Sequence, residues 1–286
     1  MKLVMTLLVR DEEDILSANF EYHLQQGVDF FIVTDNLSVD GTRDIIERYV
    51  RAGVACYLNE SNDNYAQHKW VTRMAQMAAE KYGADWVVNN DADELWLPSE
   101  QDTTLKEVLG STPSSVQVIQ VQRFNFVPSQ YERRPDPVLH MTLRERESKS
   151  IFGMPLPPKV VHRAASDITI AQGNHAVLLH GQEIRPILGP LKIFHYPLRS
   201  YAQFENKIRK GGLAYERNSE LSDDVGATWR ALYRRWQAGT LPDYFNKQMR
   251  SPDEIEDGIA TGDLIRDLTV IEILHQAGRD RRVGTL

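Results

Sequence analysis

The stretch Asp85-Trp86-Val87-Val88-Asn89-Asn90-Asp91-Ala92-Asp93-Glu94 runs from an apolar half into a carboxylate cluster. Side chains on an extended chain alternate faces, so Asp91 and Asp93 are expected on one side of a strand end. Carboxylates are hard oxygen ligands suited to Mg²⁺ or Mn²⁺. A cation held by two protein carboxylates keeps open positions that phosphate oxygens can fill. The chemistry indicated is that of a nucleotide diphosphate, with the cation neutralising charge on the departing phosphate. The plainer reading is a solvated acidic turn after a strand. Glu94 reads as support for the ligands rather than as one of them. On the functional reading, Asp93→Ala abolishes turnover and leaves the melting temperature nearly unchanged.

Such a cluster needs a scaffold, and the first third of the chain supplies one. A strand is predicted over 2–9 and a helix over 13–26, closed by Gly27. A second strand over 30–33 ends at Thr34-Asp35-Asn36. Asp40 reads as the N-cap of a helix over 41–51, with Gly53 beyond its end. A third strand covers 54–58. A helix over 65–82 carries Trp70, Met74, Met77 and Ala78 on one face, and Gly83 ends it before the strand that leads into Asp91. Strict alternation of strand and helix means a mostly parallel α/β sheet with helices on both faces. Ligands on such sheets bind beyond the carboxyl ends of the strands. The acidic clusters at 11–14, 35–40 and 91–94 all fall there.

The second half is less periodic. A strand is predicted over 115–126, and two short ones near 159–163 and 168–171. Another, over 191–194, ends at His195-Tyr196-Pro197. The segment 127–158, rich in Pro, Arg and Glu, is too long for an idle connection and reads as an active-site loop or lid. Ser200 and Gln203 form a capping box for a helix that Gly211-Gly212 should stop, and 213–286 reads as helical. The expected organisation is a catalytic domain over 1–198 with a helical extension over 199–286.

The 286 residues can bury a sizeable core, and 42% hydrophobic with 26% charged residues is ordinary soluble composition. The net charge of -7 argues against nucleic acid as a partner. A single cysteine, Cys56, excludes an internal disulfide and suits a reducing compartment, so a cytoplasmic protein is expected.

Three segments together resemble family 2 glycosyltransferases of the GT-A fold, in a bacterial branch: Val9-Arg10-Asp11-Glu12-Glu13, Thr34-Asp35-Asn36-Leu37-Ser38-Val39-Asp40-Gly41-Thr42, and Asn90-Asp91-Ala92-Asp93-Glu94. The later piece Phe194-His195-Tyr196-Pro197-Leu198-Arg199-Ser200 adds to the likeness. The resemblance implies a Rossmann-like nucleotide-diphospho-sugar fold, a UDP-linked sugar donor, Mn²⁺ or Mg²⁺, and inversion at the anomeric carbon. It implies a glycan or lipid-linked acceptor, as in surface polysaccharide synthesis. Asp91 and Asp93 match its metal motif, and Asp35 matches the carboxylate that contacts the base. Val9, Arg10, Asp11 and Glu13, with Asn36 beside Asp35, then line the nucleotide pocket.

Further residues follow from position. His195, at a strand end, is a candidate third metal ligand, or a hydrogen-bonded structural histidine. The span 192–217 holds six basic and two acidic residues, and Arg199 and Lys207 are the candidates to clamp a diphosphate. Inversion needs a base for the acceptor hydroxyl. The candidates are His175, Asp167 and Glu183. A Glu-Asp pair found near here in many relatives is missing. Trp229, Leu232, Tyr233 and Trp236 lie at helical spacing among arginines, which suits packing onto the catalytic domain or a second subunit in a homodimer; peripheral contact with the inner face of a membrane is the alternative. Competing functions are nucleotidyl transfer on sugar phosphates, an aspartyl phosphatase, a dehydrogenase and an inactive glycan-binding relative. The first lacks its Gly-rich loop, the second a small hydroxyl or β-branched residue where Leu95 stands, and the third a G-x-G-x-x-G after a strand.

Overall fold

A computed structural model describes residues 1–64, 66–128, 136–222 and 224–283. The first half contains β1 (Leu3–Val9), α1 (Leu16–Gln25), β2 (Phe30–Asp35), α2 (Thr42–Arg51), β3 (Ala55–Asn59), α3 (Gln67–Glu80), β4 (Trp86–Asp91), β5 (Glu94–Pro98), α4 (Leu105–Ser111) and β6 (Val118–Asn125). The middle adds α5 (Pro137–His140), β7 (Leu143–Glu145), β8 (Lys159–Arg163), β9 (Ile168–Ile170), β10 (Val177–Leu179), β11 (Gln182–Glu183) and β12 (Ile187–His195). The chain continues through α6 (Tyr201–Arg217), α7 (Ala227–Gln237), α8 (Leu241–Gln248), α9 (Pro252–Thr261), β13 (Leu264–Arg266) and α10 (Thr269–Val283).

Among the described residues, eight strands form one sheet in the order β3-β2-β1-β4-β8-β6-β12-β5. β3, β2, β1 and β4 are parallel neighbours, and β6 pairs parallel with β12. β8 and β5 run against their neighbours, so six strands point one way and two the other. The expected mostly parallel sheet is therefore present. Its chain order reverses between β1 and β4. In open α/β sheets such a switch point is where ligands bind, beyond the carboxyl ends of the strands.

Alternation along β1 sets the two layers. Leu3, Met5, Leu7 and Val9 join the core beneath α1, with Phe20 and Phe31. Val4 faces the other way, with Val71, Met74 and Ala78 of α3. The predicted Met77 packs at that cluster's margin. β5 escaped prediction because its residues are buried at every position, which hides a period of two.

Gly211 and Gly212 do not stop α6, which continues to Arg217. They are where α7 crosses: a methyl group on Gly211 would run into the Trp229 ring, and on Gly212 into Tyr233. Glycine here serves close helix packing rather than termination. The Trp229–Trp236 stripe thus faces α6 and α8, with Leu232 and Tyr233 buried. Ser200 Oγ accepts from Gln203 N–H at 3.2 Å, half of the predicted capping box. The extension also reaches back elsewhere: β13 pairs with β7, and Val270 of α10 joins the main core. Part of the predicted 127–158 loop (129–135) lies outside the described residues. The rest carries α5, β7 and a tight turn at Ser150–Gly153.

Two fully buried histidines are held neutral by burial. His23 Nε2 accepts from Trp96 N–H at 3.1 Å, and its Nδ1 faces Asn19 O and Oδ1, both at 2.9 Å. His162 Nε2 faces Asn89 Nδ2 at 2.9 Å, and its Nδ1 donates to Arg163 O. Burial pushes them down to about 3 and about 4. Both lie below the unfolded value, so the unfolded chain binds more protons once pH falls through 6.5. Stability is then lost toward acid, by up to about 2.7 kcal/mol per pH unit for the pair. Urea unfolding at about pH 7 and about pH 5 should show it. Equal midpoints would refute this account.

Candidate active site

The loop after β1 and the turn between β4 and β5 are built on buried polar groups. Asn19 of α1 donates through Nδ2 to Ala92 O (2.9 Å) and Glu94 O (3.0 Å). Trp96 Nε1 donates to Asn90 Oδ1 at 2.9 Å, and Asn90 Nδ2 donates to Glu94 O at 3.1 Å. This network, spread over three elements, fixes the turn that carries the acidic residues.

The turn divides them. β4 ends at Asp91, so strand alternation does not carry through Ala92-Asp93. The Asp91 side chain remains 36% exposed, whereas that of Asp93 is 3% exposed. Asp91 bonds to Lys159 Nζ, and Asn174 Nδ2 lies 3.5 Å from its other oxygen. Lys159 is buried and also lies 3.2 Å from Glu94 Oε2, an ion pair without hydrogen-bond alignment. Arg123 Nη1 sits 3.3 Å from Glu94 Oε1. Lys159 was missed in sequence because a lone lysine opening a short strand carries no signal.

Asp93 belongs to a second cluster. Lys207 Nζ lies 2.5 Å from its Oδ2, His195 Nε2 3.6 Å and Arg199 Nη1 3.7 Å. Burial opposes its charge, but Lys207, His195 and Arg199 outweigh burial and hold the carboxyl well below its usual range. Glu12 comes out the other way: burial pushes it up despite Lys207 and Arg199. Arg199 is buried and bonds to Glu12 Oε2 at 2.5 Å and Asp14 Oδ2 at 2.8 Å. Burial disfavours the charged forms of Arg199 and Lys207, yet the surrounding carboxylates push both up. Arg199 is thus fully engaged inside the protein, while Lys207 keeps 22% of its side chain exposed.

The β1 and β2 ends carry the other predicted residues. Asp11 adopts a left-handed φ of 54°. Its Oδ1 accepts from Val39 N–H at 2.8 Å, and its Oδ2 from Asn206 Nδ2 at 2.9 Å and from Lys210. Burial raises its carboxyl, but Lys210, Val39 and Asn206 bring it below its ordinary value. Asp35 Oδ1 accepts from Ser38 N–H at 3.1 Å, and Tyr57 Oη lies 3.5 Å from Oδ2. Asn36 donates to Glu60 O and Asn62 O, and Glu13 accepts from Gly41 N–H at 2.7 Å, so both brace loops. Asp40 takes Thr42 N–H at 3.0 Å and Glu13 N–H at 3.1 Å; the N-cap itself is Gly41. Arg10 Nη1 pairs with Asp63 at 2.6 Å, and Val9 is buried.

Among the base candidates, His175 stands beside this edge. Its Nδ1 donates to Pro158 O at 2.7 Å, which leaves Nε2 with a free lone pair. Burial and the nearby Lys159 push it down to about 4, against the pull of Asp91. Asp167 pairs with His180 on the outside, and Glu183 is exposed on β11; both lie on or next to the small sheet β11-β10-β9.

The candidate donors for a divalent cation are Asp93 and His195, with Lys207 Nζ 2.5 Å from Asp93 Oδ2. His195 Nδ1 is bonded to Asn125 Oδ1 at 2.8 Å, and its Nε2 lies 3.6 Å from Asp93 Oδ2. With Nε2 deprotonated, this pair could supply two ligands to one ion. Asp91 is held elsewhere by Lys159, and among the described residues no group of three His, Cys, Asp or Glu side chains is placed to hold a metal.

The sequence model for Glycosyltransferase family 92 matches residues 5–207. That is a different family from the family 2 enzymes which the motifs resemble. No curated protein matches the chain. Among solved structures it is similar to TarS 1–349 of S. aureus, with 11% identity and a TM-score of 0.42 over 100% of this chain and 92% of that one. The same protein with UDP-GlcNAc gives 12% identity and 0.41 over 83% and 73%. Glucosyl-3-phosphoglycerate synthase from Mycobacterium tuberculosis, with Mn²⁺, UDP and phosphoglyceric acid, gives 19% and 0.30 over 49% and 46%. Among the described residues, no helix is long and apolar enough to cross a membrane.

Proposed function

The chain belongs to glycosyltransferase family 92, and from that premise we propose that it moves a sugar from a UDP-linked donor to a hydroxyl of a glycan or lipid-linked acceptor, with inversion. The supporting observation is convergence: Asp11, Asp35 and Asp91 sit at the ends of β1, β2 and β4, and α6 lays Lys207 across the same edge. Asp35 contacts the base, and the loop from Arg10 to Asp11 lines the nucleotide. Lys207, a partly exposed cation, can turn from Asp93 toward a diphosphate. Arg199 is the positioning residue that holds Glu12, Asp14 and Asp93 around it.

Asp93 and His195 would hold Mn²⁺ or Mg²⁺, which would supply charge neutralisation for the departing diphosphate. In the displacement the acceptor oxygen bonds to the anomeric carbon. The bond from that carbon to the diphosphate oxygen breaks, and its electron pair leaves with UDP. The acceptor proton goes to Nε2 of His175, which is unprotonated at neutral pH and therefore able to receive it. The test is calorimetry with UDP, with and without Mn²⁺. Binding that strengthens with Mn²⁺ is expected, and no UDP affinity under either condition would refute the donor assignment.

A further inference from the structure

The strands that follow the acidic turn leave a cleft of about 280 Å³ that none of the residues assigned above occupies. That is close to the lower end of small-molecule sites, roughly 300–1,000 Å³. One wall is Gln122, Arg123 and Phe124 of β6, and the other is the segment from Arg146 to Leu156. That segment is pinned to β6 where Ser148 Oγ accepts from Asn125 N–H at 2.7 Å, and it closes on itself where Leu156 N–H donates to Ser148 O at 3.2 Å. Between them, a bridge from Lys149 to Pro155 and a bond from Ser150 N–H to Met154 O at 2.8 Å close a short hairpin. Phe152 and Met154 at its tip are 56% and 64% exposed. Ile151 packs against the helical cluster of α6, α7 and α8.

One residue of the cleft, Arg123, reaches the candidate active-site edge. Arg123 donates from Nη2 to Pro157 O at 2.9 Å and reaches Glu94 Oε1 at 3.3 Å. Two residues on, Lys159 holds Asp91 and Glu94, and Pro158 O takes the proton of His175 Nδ1. Arg123, a wall residue of the cleft, thus joins it through Glu94 and Pro157 to the edge that carries Asp91, Lys159 and His175.

The lining has a sign. Arg123 is already paired with Glu94, and Arg146 and Lys149 face one carboxylate, Glu147, in a protein of net charge -7. Arg146 is anchored through Nε to Gly262 O, which leaves its terminal nitrogens available. Phe124, Pro155 and Leu156 supply apolar surface beside them. Cations beside apolar walls select an anion that carries an organic body, and a guanidinium recognises phosphate oxygens in bidentate fashion.

We propose that the cleft between β6 and the 146–156 hairpin is the acceptor subsite, and that it takes a phosphorylated organic acceptor whose phosphate is held by Arg146 and Lys149. This rests on the sugar-transfer reading above. The test is calorimetric titration with phenyl phosphate, with benzyl alcohol as the uncharged counterpart. The double variant Arg146→Gln, Lys149→Gln changes two exposed side chains and should fold normally. Phenyl phosphate should saturate the natural protein, bind the variant at least about tenfold more weakly, and bind far better than benzyl alcohol. No saturable binding, equal affinity in the variant, or benzyl alcohol binding as tightly would each overturn the proposal. UDP titrated into the natural protein reads the donor site separately. Loss of UDP binding with phenyl phosphate binding intact sinks the donor reading alone.

Discussion

Asp93→Ala is expected to cost both activity and stability. The activity loss follows from position: Asp93 is the carboxylate shared by Lys207, Arg199 and His195. Without it Lys207 loses its 2.5 Å partner and His195 the carboxylate 3.6 Å from its Nε2. A fall in turnover on the order of 10²–10³-fold is the usual consequence of removing one charged group aimed at a developing charge. The stability loss corrects the expectation from sequence of an unchanged melting temperature. Asp93 is 2% exposed and compensates buried cations. Removing one member of a buried ion pair costs about 3–5 kcal/mol in full, and here the lower end applies, because Glu12 and Asp14 remain. Asp93→Asn keeps the shape and separates the effects: activity falls similarly and the melting temperature less. Initial rates of donor turnover and thermal melts of both variants decide it. Full activity in Asp93→Ala would remove this carboxylate from the site.

Arg199→Met should produce the largest stability loss. The guanidinium is 1% exposed, with Glu12 at 2.5 Å, Asp14 at 2.8 Å and Asp93 at 3.7 Å. Methionine fills much of the volume but leaves these carboxylates facing one another, with Lys207 as the near cation. About 3–5 kcal/mol should go, a drop in melting temperature on the order of 10 °C. The sign of the pH dependence is a further check. Burial already pushes Glu12 above its ordinary value, and losing Arg199 raises it further. A carboxyl whose folded pKa lies above the unfolded one costs stability as pH rises and it ionises. The gap between variant and natural protein should therefore narrow on moving from about pH 8 to about pH 5. A gap that is constant or widens toward acid would mean the loss comes from packing and not from charge.

The alternation of strand and helix up to Asp91 was legible because each element shows its own period, and a period needs no knowledge of the rest of the chain. The acidic residues at the ends of β1, β2 and β4 followed from the same reading, since a parallel sheet puts all such ends on one edge. β5 and the passage of α6 through Gly211-Gly212 were not legible. β5 is buried on both faces and shows no alternation. The glycine pair has the composition of a helix stop, and only the packing of Trp229 and Tyr233 over it reveals a crossing point. Arg199 reads as a ligand clamp in sequence, yet burial turns it into internal support.

By itself, then, the sequence determined the sheet, the edge beyond its carboxyl ends and the carboxylates on that edge. Local pattern carries that information, because a strand and its exit residue are contiguous. Only the tertiary structure decided which cation meets which carboxylate. Lys159 takes Asp91 across 68 positions, Lys207 takes Asp93 across 114, and Arg199 takes Glu12 across 187. Pairs so far apart share no period or spacing; they meet because β8 and α6 are packed against the switch point between β1 and β4. Folding therefore separated Asp91 from Asp93, although they stand two residues apart in the chain.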